Sequence, residues 1–181
     1  MIPKWETIAK KEILNLHIFQ VELIKRRHPI WNRESEFVVL NSKNWVNIVP
    51  ITINNEILLI EQYRQGIDTL TIEIPGGLIE DNEEPIQAAQ RECIEETGYF
   101  SHNELIPIGF NYPNPAFLNN KCFSYAWFGL EKQYEQNLDL NEEIRIIPTA
   151  VSEVKEMIKD GRINHSIILT AFFQFFLKFG F

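Results

Sequence analysis

The chain has only two cysteines, Cys93 and Cys122, too few for a disulfide framework. It has no apolar run of the ~20 residues that cross a bilayer. The nearest candidate, Ile167 to Phe179, spans 13 residues, is interrupted by Gln174 and Lys178, and reads as a buried terminal helix. The opening M-I-P-K-W-E-T-I lacks the apolar core of a signal peptide, so a reducing cytoplasm is the expected setting. Positive charge is also short: 17 Lys and Arg stand against 25 Asp and Glu, a net charge of -8. That balance argues against a grip on nucleic-acid phosphates, although an acidic protein can still hold a small diphosphate through metal ions and a few local arginines. There is no repeat and no low-complexity segment. What remains is 181 residues of 45% apolar composition, enough to bury the core of one domain with a small appended piece.

The most informative stretch runs from Gly77 to Tyr99, G-L-I-E-D-N-E-E-P-I-Q-A-A-Q-R-E-C-I-E-E-T-G-Y. Pro75-Gly76-Gly77 reads as a tight turn out of the preceding apolar run. Asp81 or Asn82 offers a helix N-cap, Pro85 suits the first turn, and Gly98 supplies the stop. On the helix between these limits Glu92, Glu95 and Glu96 stand at i, i+3 and i+4 and share one stripe, while Ile86, Ala89 and Cys93 line the stripe expected to be buried. A solvated acidic face is the ordinary meaning of clustered glutamates. Beside a core, however, three mutually repelling carboxylates call for a cation, and hard divalent ions suit such an oxygen-rich set.

Elsewhere the pattern is strand-rich. Residues 12–24 read as one long strand whose apolar parity switches near Ile18, suggesting a bulge, and Lys25-Arg26-Arg27-His28-Pro29 reads as a basic connection. Phe37–Leu40, Trp45–Ile53, Ile57–Ile60, Leu70–Ile74, Glu104–Asn111, Cys122–Leu130 and Glu142–Ile147 read as further strands, with a hairpin turn at Asn54-Asn55. Ser152–Lys159 reads as a helix, and Asn164 or Ser166 as the cap of the last one. Arg64, at the end of E-Q-Y-R, is either a surface charge or a guanidinium for a diphosphate or ribose. The loop Tyr112–Asn120, with two prolines and three asparagines, is a candidate substrate-recognition wall. Trp45, Tyr63, Tyr112 and Phe117 are candidates for stacking on a base. His17, His28, His102 and His165 sit in no motif and read as structural or solvated.

The stretch from Gly77 fits G-x5-E-x7-R-E-U-x-E-E-x-G-U, with U a bulky apolar residue, through Gly77, Glu83, Arg91, Glu92, Cys93, Glu95, Glu96, Gly98 and Tyr99. All its charged and glycine positions are filled, and only Cys93 and Tyr99 depart from the commoner aliphatics. The chain thereby resembles the Nudix hydrolases. E-Q-Y-R, E-I-P-G-G and Pro115, sixteen residues past Tyr99, are similar to the ADP-ribose and nucleoside diphosphate sugar pyrophosphatase branch. The resemblance implies an α/β/α sandwich around a mixed sheet in residues 45–181. It also implies an N-terminal β extension over residues 1–44 that serves as a dimerisation sheet in a homodimer.

By motif position the resemblance implies that Glu92 and Glu96 are the main Mg²⁺ ligands, with Mn²⁺ as a possible substitute. Glu95 would add a ligand or hold a bridging water, and the Gly76 carbonyl would add another oxygen. Arg91 would pair with Glu83 or Glu95 to hold the carboxylates in place. Arg64, Glu73, Pro115 and Asn120 would contact substrate. Asn114-Pro115-Ala116 stands where the branch usually has Ser-Pro-Gly, and Asn120 where ADP-ribose enzymes often have a glutamate. The loop is similar to that of Nudix enzymes acting on varied nucleoside diphosphate sugars. The implied reaction is hydrolysis to a nucleoside monophosphate and a sugar phosphate. Its general base would come from a mobile loop after the late strand: Glu142 first, then Glu143, with Asp139 also in reach. The competing readings are hydrolysis of nucleoside triphosphates or dinucleoside polyphosphates, and a sensor that binds ADP-ribose without cutting it.

Overall fold

In the computed structural model, which describes residues 1–180, the chain divides into two compact units. The first comprises Met1–Asn44 and Tyr112–Lys121. Its strands β1 (Glu6–Leu16), β2 (Phe19–Arg27) and β3 (Glu34–Ser42) form an antiparallel sheet in the order β1-β2-β3. The parity switch near Ile18 is therefore a hairpin turn and not a bulge: Leu16 pairs with Phe19, leaving His17 and Ile18 as a two-residue loop. Reversal of the chain mimics a bulge in sequence because both flip the face on which apolar residues fall. True register shifts lie earlier, between Thr7 and Ala9 and between Glu12 and Leu14. The basic Lys25–Arg27 run is the end of β2 and not a connection, with Lys25 and Arg27 each 2.7 Å from Glu34 of β3. Backbone and asparagine bonds tie the distant segment to β3, among them Leu40 N–H to Phe117 O (2.7 Å) and Asn119 Nδ2 to Asn41 Oδ1 (2.7 Å).

The second unit comprises Trp45–Asn111 and the chain from Cys122 onward. Its elements are β4 (Trp45–Thr52), β5 (Glu56–Arg64), β6 (Thr69–Glu73), α1 (Pro85–Thr97), β7 (Tyr99–Phe100), β8 (Ile106–Asn111), β9 (Cys122–Lys132), β10 (Ile144–Ala150), α2 (Val151–Lys159) and α3 (Ser166–Phe179). The strands form one sheet along β10-β5-β4-β9-β7, with β6 on β5 and β8 on β9. The β4–β9 pair is parallel and the others antiparallel, so the sheet is mixed. The central strand β4 is apolar on both faces because helices cover both. Val46 and Ile48 pack with Ala88, Ala89 and Cys93 of α1, and Val49 and Ile51 pack with Val154 of α2 and Phe172 and Phe175 of α3. This is the α/β/α sandwich that the sequence resemblance implied.

Three local expectations differ. Ile86 is exposed, and the buried stripe of α1 is Ala88, Ala89 and Cys93; Ile86 lies in the first turn, where α1 has not yet met the sheet. The N-cap is Glu84, whose N–H is taken by the Gln87 side chain at 3.1 Å. Asp81 and Asn82 precede it, Asn82 in the left-handed region at φ 65°. The late strand begins at Ile144, so Glu142 and Glu143 lie in the turn before it. The phenylalanine-rich α3 buries Phe172 and Phe175 and exposes Phe173. Among the described residues no helix is long and apolar enough to cross a membrane.

Candidate active site

The turn leaving β6 is held like an extra strand against β4. Ile48 N–H donates to Pro75 O and Val46 N–H to Gly77 O, both at 2.9 Å, and Leu78 bridges Trp45. Between these bonds Gly76 turns away from β4 and donates its N–H to Glu96 Oε2 at 2.9 Å. Gly76 must be glycine, since a Cβ there would lie 2.2 Å from the Val46 backbone oxygen, whereas a Cβ at Gly77 would meet only the Glu92 carboxylate, at 2.3 Å, and push that side chain aside. At the far end Gly98 closes α1 at φ 70° with its N–H on Ile94 O.

Arg91 is the hub of the acidic stripe. Its guanidinium donates to both Glu83 oxygens at 2.9 Å, to Glu92 Oε1 at 2.8 Å, to Glu95 Oε2 at 3.1 Å and to Leu78 O at 3.0 Å. The sequence offered Glu83 or Glu95 as its partner; it takes both, and Glu92 as well. Glu96 is different. It is 3% exposed and takes its hydrogen bond from a neutral backbone amide. Burial, reinforced by the charges of Glu92 and Glu142, pushes its carboxyl well above the usual range. Burial also raises Glu92, against the opposing pull of Arg91.

Among the described residues no group of three His, Cys, Asp or Glu side chains is arranged to hold a metal ion. Arg91 draws Glu92 and Glu95 to itself, while Glu96 faces Gly76. The donor set nonetheless fits a hard divalent cation. It is all oxygen, and its two most buried carboxylates are held back from ionising by burial, a penalty that a bound cation relieves. Cys93, in the same helix, is fully buried with its thiol pushed up to about 12, so it is core and no nucleophile.

The polar connection after β9 is fastened to the end of α1. Tyr134 N–H bonds Gly98 O (2.9 Å), Asn137 N–H bonds Glu95 O (2.9 Å), and Gln136 Nε2 bonds both Glu96 O (2.6 Å) and Ile144 O (3.2 Å). This places the loop carboxylates beside the stripe. Glu142 and Asp139 hold one another, through Glu142 N–H to Asp139 O (2.9 Å) and Asp139 N–H to Glu142 Oε2 (3.2 Å). The Glu142 charge is felt at Glu92, Glu96 and Arg64. Glu143 is exposed in the same turn.

Arg64, at the end of β5, forms a two-pronged pair with Glu73 on β6, at 2.8 and 2.7 Å. Glu73 is therefore placed to orient Arg64 more than to meet a ligand. Burial alone would raise the Glu73 carboxyl, but the Arg64 guanidinium and the Thr71 hydroxyl (2.6 Å) hold it well below the usual carboxylate range. Pro115 and Asn120 lie in the first unit, where Asn120 is buried and donates to Lys43 O at 3.1 Å. Sequence reasoning missed Thr71, Gln136 and His165. Thr71 shares a strand face with Glu73 at i−2, a readable signal; a lone Gln in a polar loop and a lone His before a helix gave none.

A model of the NUDIX domain matches residues 43–171. The chain belongs to the Nudix hydrolases, enzymes that act on phosphoanhydride bonds. It is 30% identical over 164 residues, 90% of this chain and 85% of the other, to a methanol dehydrogenase activator of Bacillus methanolicus. It is 25% identical over 164 residues, 87% of this chain and 85% of the other, to an ADP-ribose pyrophosphatase of Bacillus subtilis (strain 168). The solved structure of an ADP compounds hydrolase superposes with a TM-score of 0.85 at 19% identity, covering 96% of this chain and 93% of that one, a likeness of fold.

Proposed function

We propose that this protein is a Mg²⁺-dependent pyrophosphohydrolase that splits a nucleoside diphosphate sugar or ADP-ribose into a nucleoside monophosphate and a sugar phosphate. The observation that carries the reading is the buried, amide-bonded Glu96 beside Glu92, on a helix whose neighbouring carboxylates Arg91 gathers. Glu92, Glu96 and the Gly76 carbonyl would hold the cation, with Glu95 adding a ligand or a water. A divalent ion in such a site neutralises phosphate charge and lowers the pKa of water. The chain's own residues do the rest. Arg91 fixes the directions of Glu92 and Glu95. Arg64 offers the nitrogen not used on Glu73, Nη1, to a diphosphate oxygen, and Glu142 accepts the proton of the attacking water.

The test is turnover of ADP-ribose, GDP-mannose, UDP-glucose and nucleoside triphosphates with Mg²⁺, with products identified. Nucleoside monophosphate plus sugar phosphate is expected from at least one diphosphate sugar. Release of pyrophosphate from triphosphates, with the diphosphate sugars left intact, would overturn the reading.

We further propose a homodimer formed through the sheet of the first unit. Ile13, Leu14, Leu16, Phe37 and Val38 are all exposed there, an apolar set of the kind that marks an association surface. Light scattering on the eluting protein should give twice the 21.3 kDa chain mass; a monomer mass at micromolar concentration would exclude it.

A further inference from the structure

Glu73 is surrounded on three elements. Its carboxylate, 1% exposed, receives Arg64 from β5, Thr71 from its own strand β6, and a third group from the start of α3. That group is His165, whose Nδ1 lies 3.1 Å from Glu73 Oε2. Nδ1 is itself buried and makes no aligned hydrogen bond to any atom, so what it has is the short approach to the Glu73 carboxylate. The side chain does nothing for its own helix. His165 is the N-cap of α3 but makes no side-chain cap bond, and its backbone carbonyl takes the Leu169 N–H at 2.9 Å.

Building on the reading of Arg64 as a diphosphate contact, we propose that His165 is a positioning residue for Arg64, acting through Glu73. Arg64 Nε and Nη2 hold Glu73 Oε1 and Oε2 respectively. Thr71 restrains Oε1. Without His165 only Arg64 itself holds Oε2, and the carboxylate can swing about its Cγ–Cδ bond, carrying the guanidinium with it. With His165 in place both oxygens are tethered and the two-pronged pair has one orientation. The Arg64 side chain is 42% exposed, so packing alone does not fix it. A guanidinium preset in one direction loses less freedom when it meets an anion.

The experiment compares His165→Ala, His165→Phe and His165→Asn. Phe keeps the ring's bulk without Nδ1, and Asn returns an N–H at a similar reach. The first readout needs no substrate: the ¹⁵N-edited signal of Arg64 Nε–H, assigned by its loss in Arg64→Lys. Its exchange with water should speed up about tenfold in the Ala and Phe variants and stay near wild type in Asn, as expected when a buried charge-assisted contact is lost and regained. The second readout is KM, which should rise about tenfold at unchanged kcat in Ala and Phe, recover in Asn, and not rise further when His165→Ala is added to Arg64→Lys. Unchanged exchange in both Ala and Phe overturns the proposal, as does a KM effect that persists in the Arg64→Lys background. If the wild-type protein cleaves no diphosphate sugar the functional reading fails, while the exchange measurement still judges the tether.

Discussion

Glu96→Gln is expected to cut kcat by about 10³-fold while leaving the fold intact, the scale seen when one preorganised charged group is lost from a reacting centre. The amide keeps an oxygen that can accept the Gly76 N–H, now at 2.9 Å from Glu96 Oε2, and it fills nearly the same buried volume. It cannot supply negative charge. Stability should move the other way. A carboxyl whose folded value is raised stays protonated longer in the native state than in the unfolded chain. Its contribution is therefore intact below the ordinary carboxylate range and is lost as pH rises through the raised value. Removing the charge removes that loss, so the variant without metal should melt no lower than wild type at neutral pH. Added Mg²⁺ should raise the melting temperature of wild type and not of the variant. Titration calorimetry and melting curves with and without Mg²⁺ check both halves; equal turnover, or equal stabilisation by Mg²⁺, would remove Glu96 from the metal site.

The difference between Glu96 and its neighbours shows what a sequence can and cannot give. Fixed spacing along one helix put Glu92, Glu95 and Glu96 on one stripe with Arg91, and the structure keeps them there. The division of labour was not legible, because it depends on partners far away in sequence. Glu96 is buried by the turn at Gly76, and Arg64 is held by Glu73 and approached through it by His165. In the fold, period-two apolar runs located most strands, and the double-sided burial of β4 followed from its unbroken apolar character. The hairpin at His17-Ile18 was hidden because neither residue is a turn former. The attachment of Tyr112–Lys121 to the first unit was hidden because it rests on asparagine and backbone bonds, which leave no apolar periodicity.

Long-range partners also decide the second large effect, at Glu142. Three loop carboxylates could take the proton of the attacking water, and sequence spacing alone ranks them weakly. The structure supplies a physical reason to rank them. Gln136 and Asn137 fasten the loop to α1, and the Glu142 charge is felt at Glu92, Glu96 and Arg64 together. A base must reach the space those groups enclose. Glu142→Gln should therefore lower kcat by about 10²-fold or more with KM little changed, since proton removal belongs to the transition state and not to binding. Glu143→Gln should stay close to wild type. Asp139→Asn should also stay close to wild type, because Asp139 holds Glu142 through its own main-chain N–H and C=O, which the substitution leaves in place. Steady-state kinetics of the three variants on one diphosphate sugar give the ranking. A full-rate Glu142→Gln beside a crippled Glu143→Gln would move the base one residue along, within a turn where both side chains are exposed.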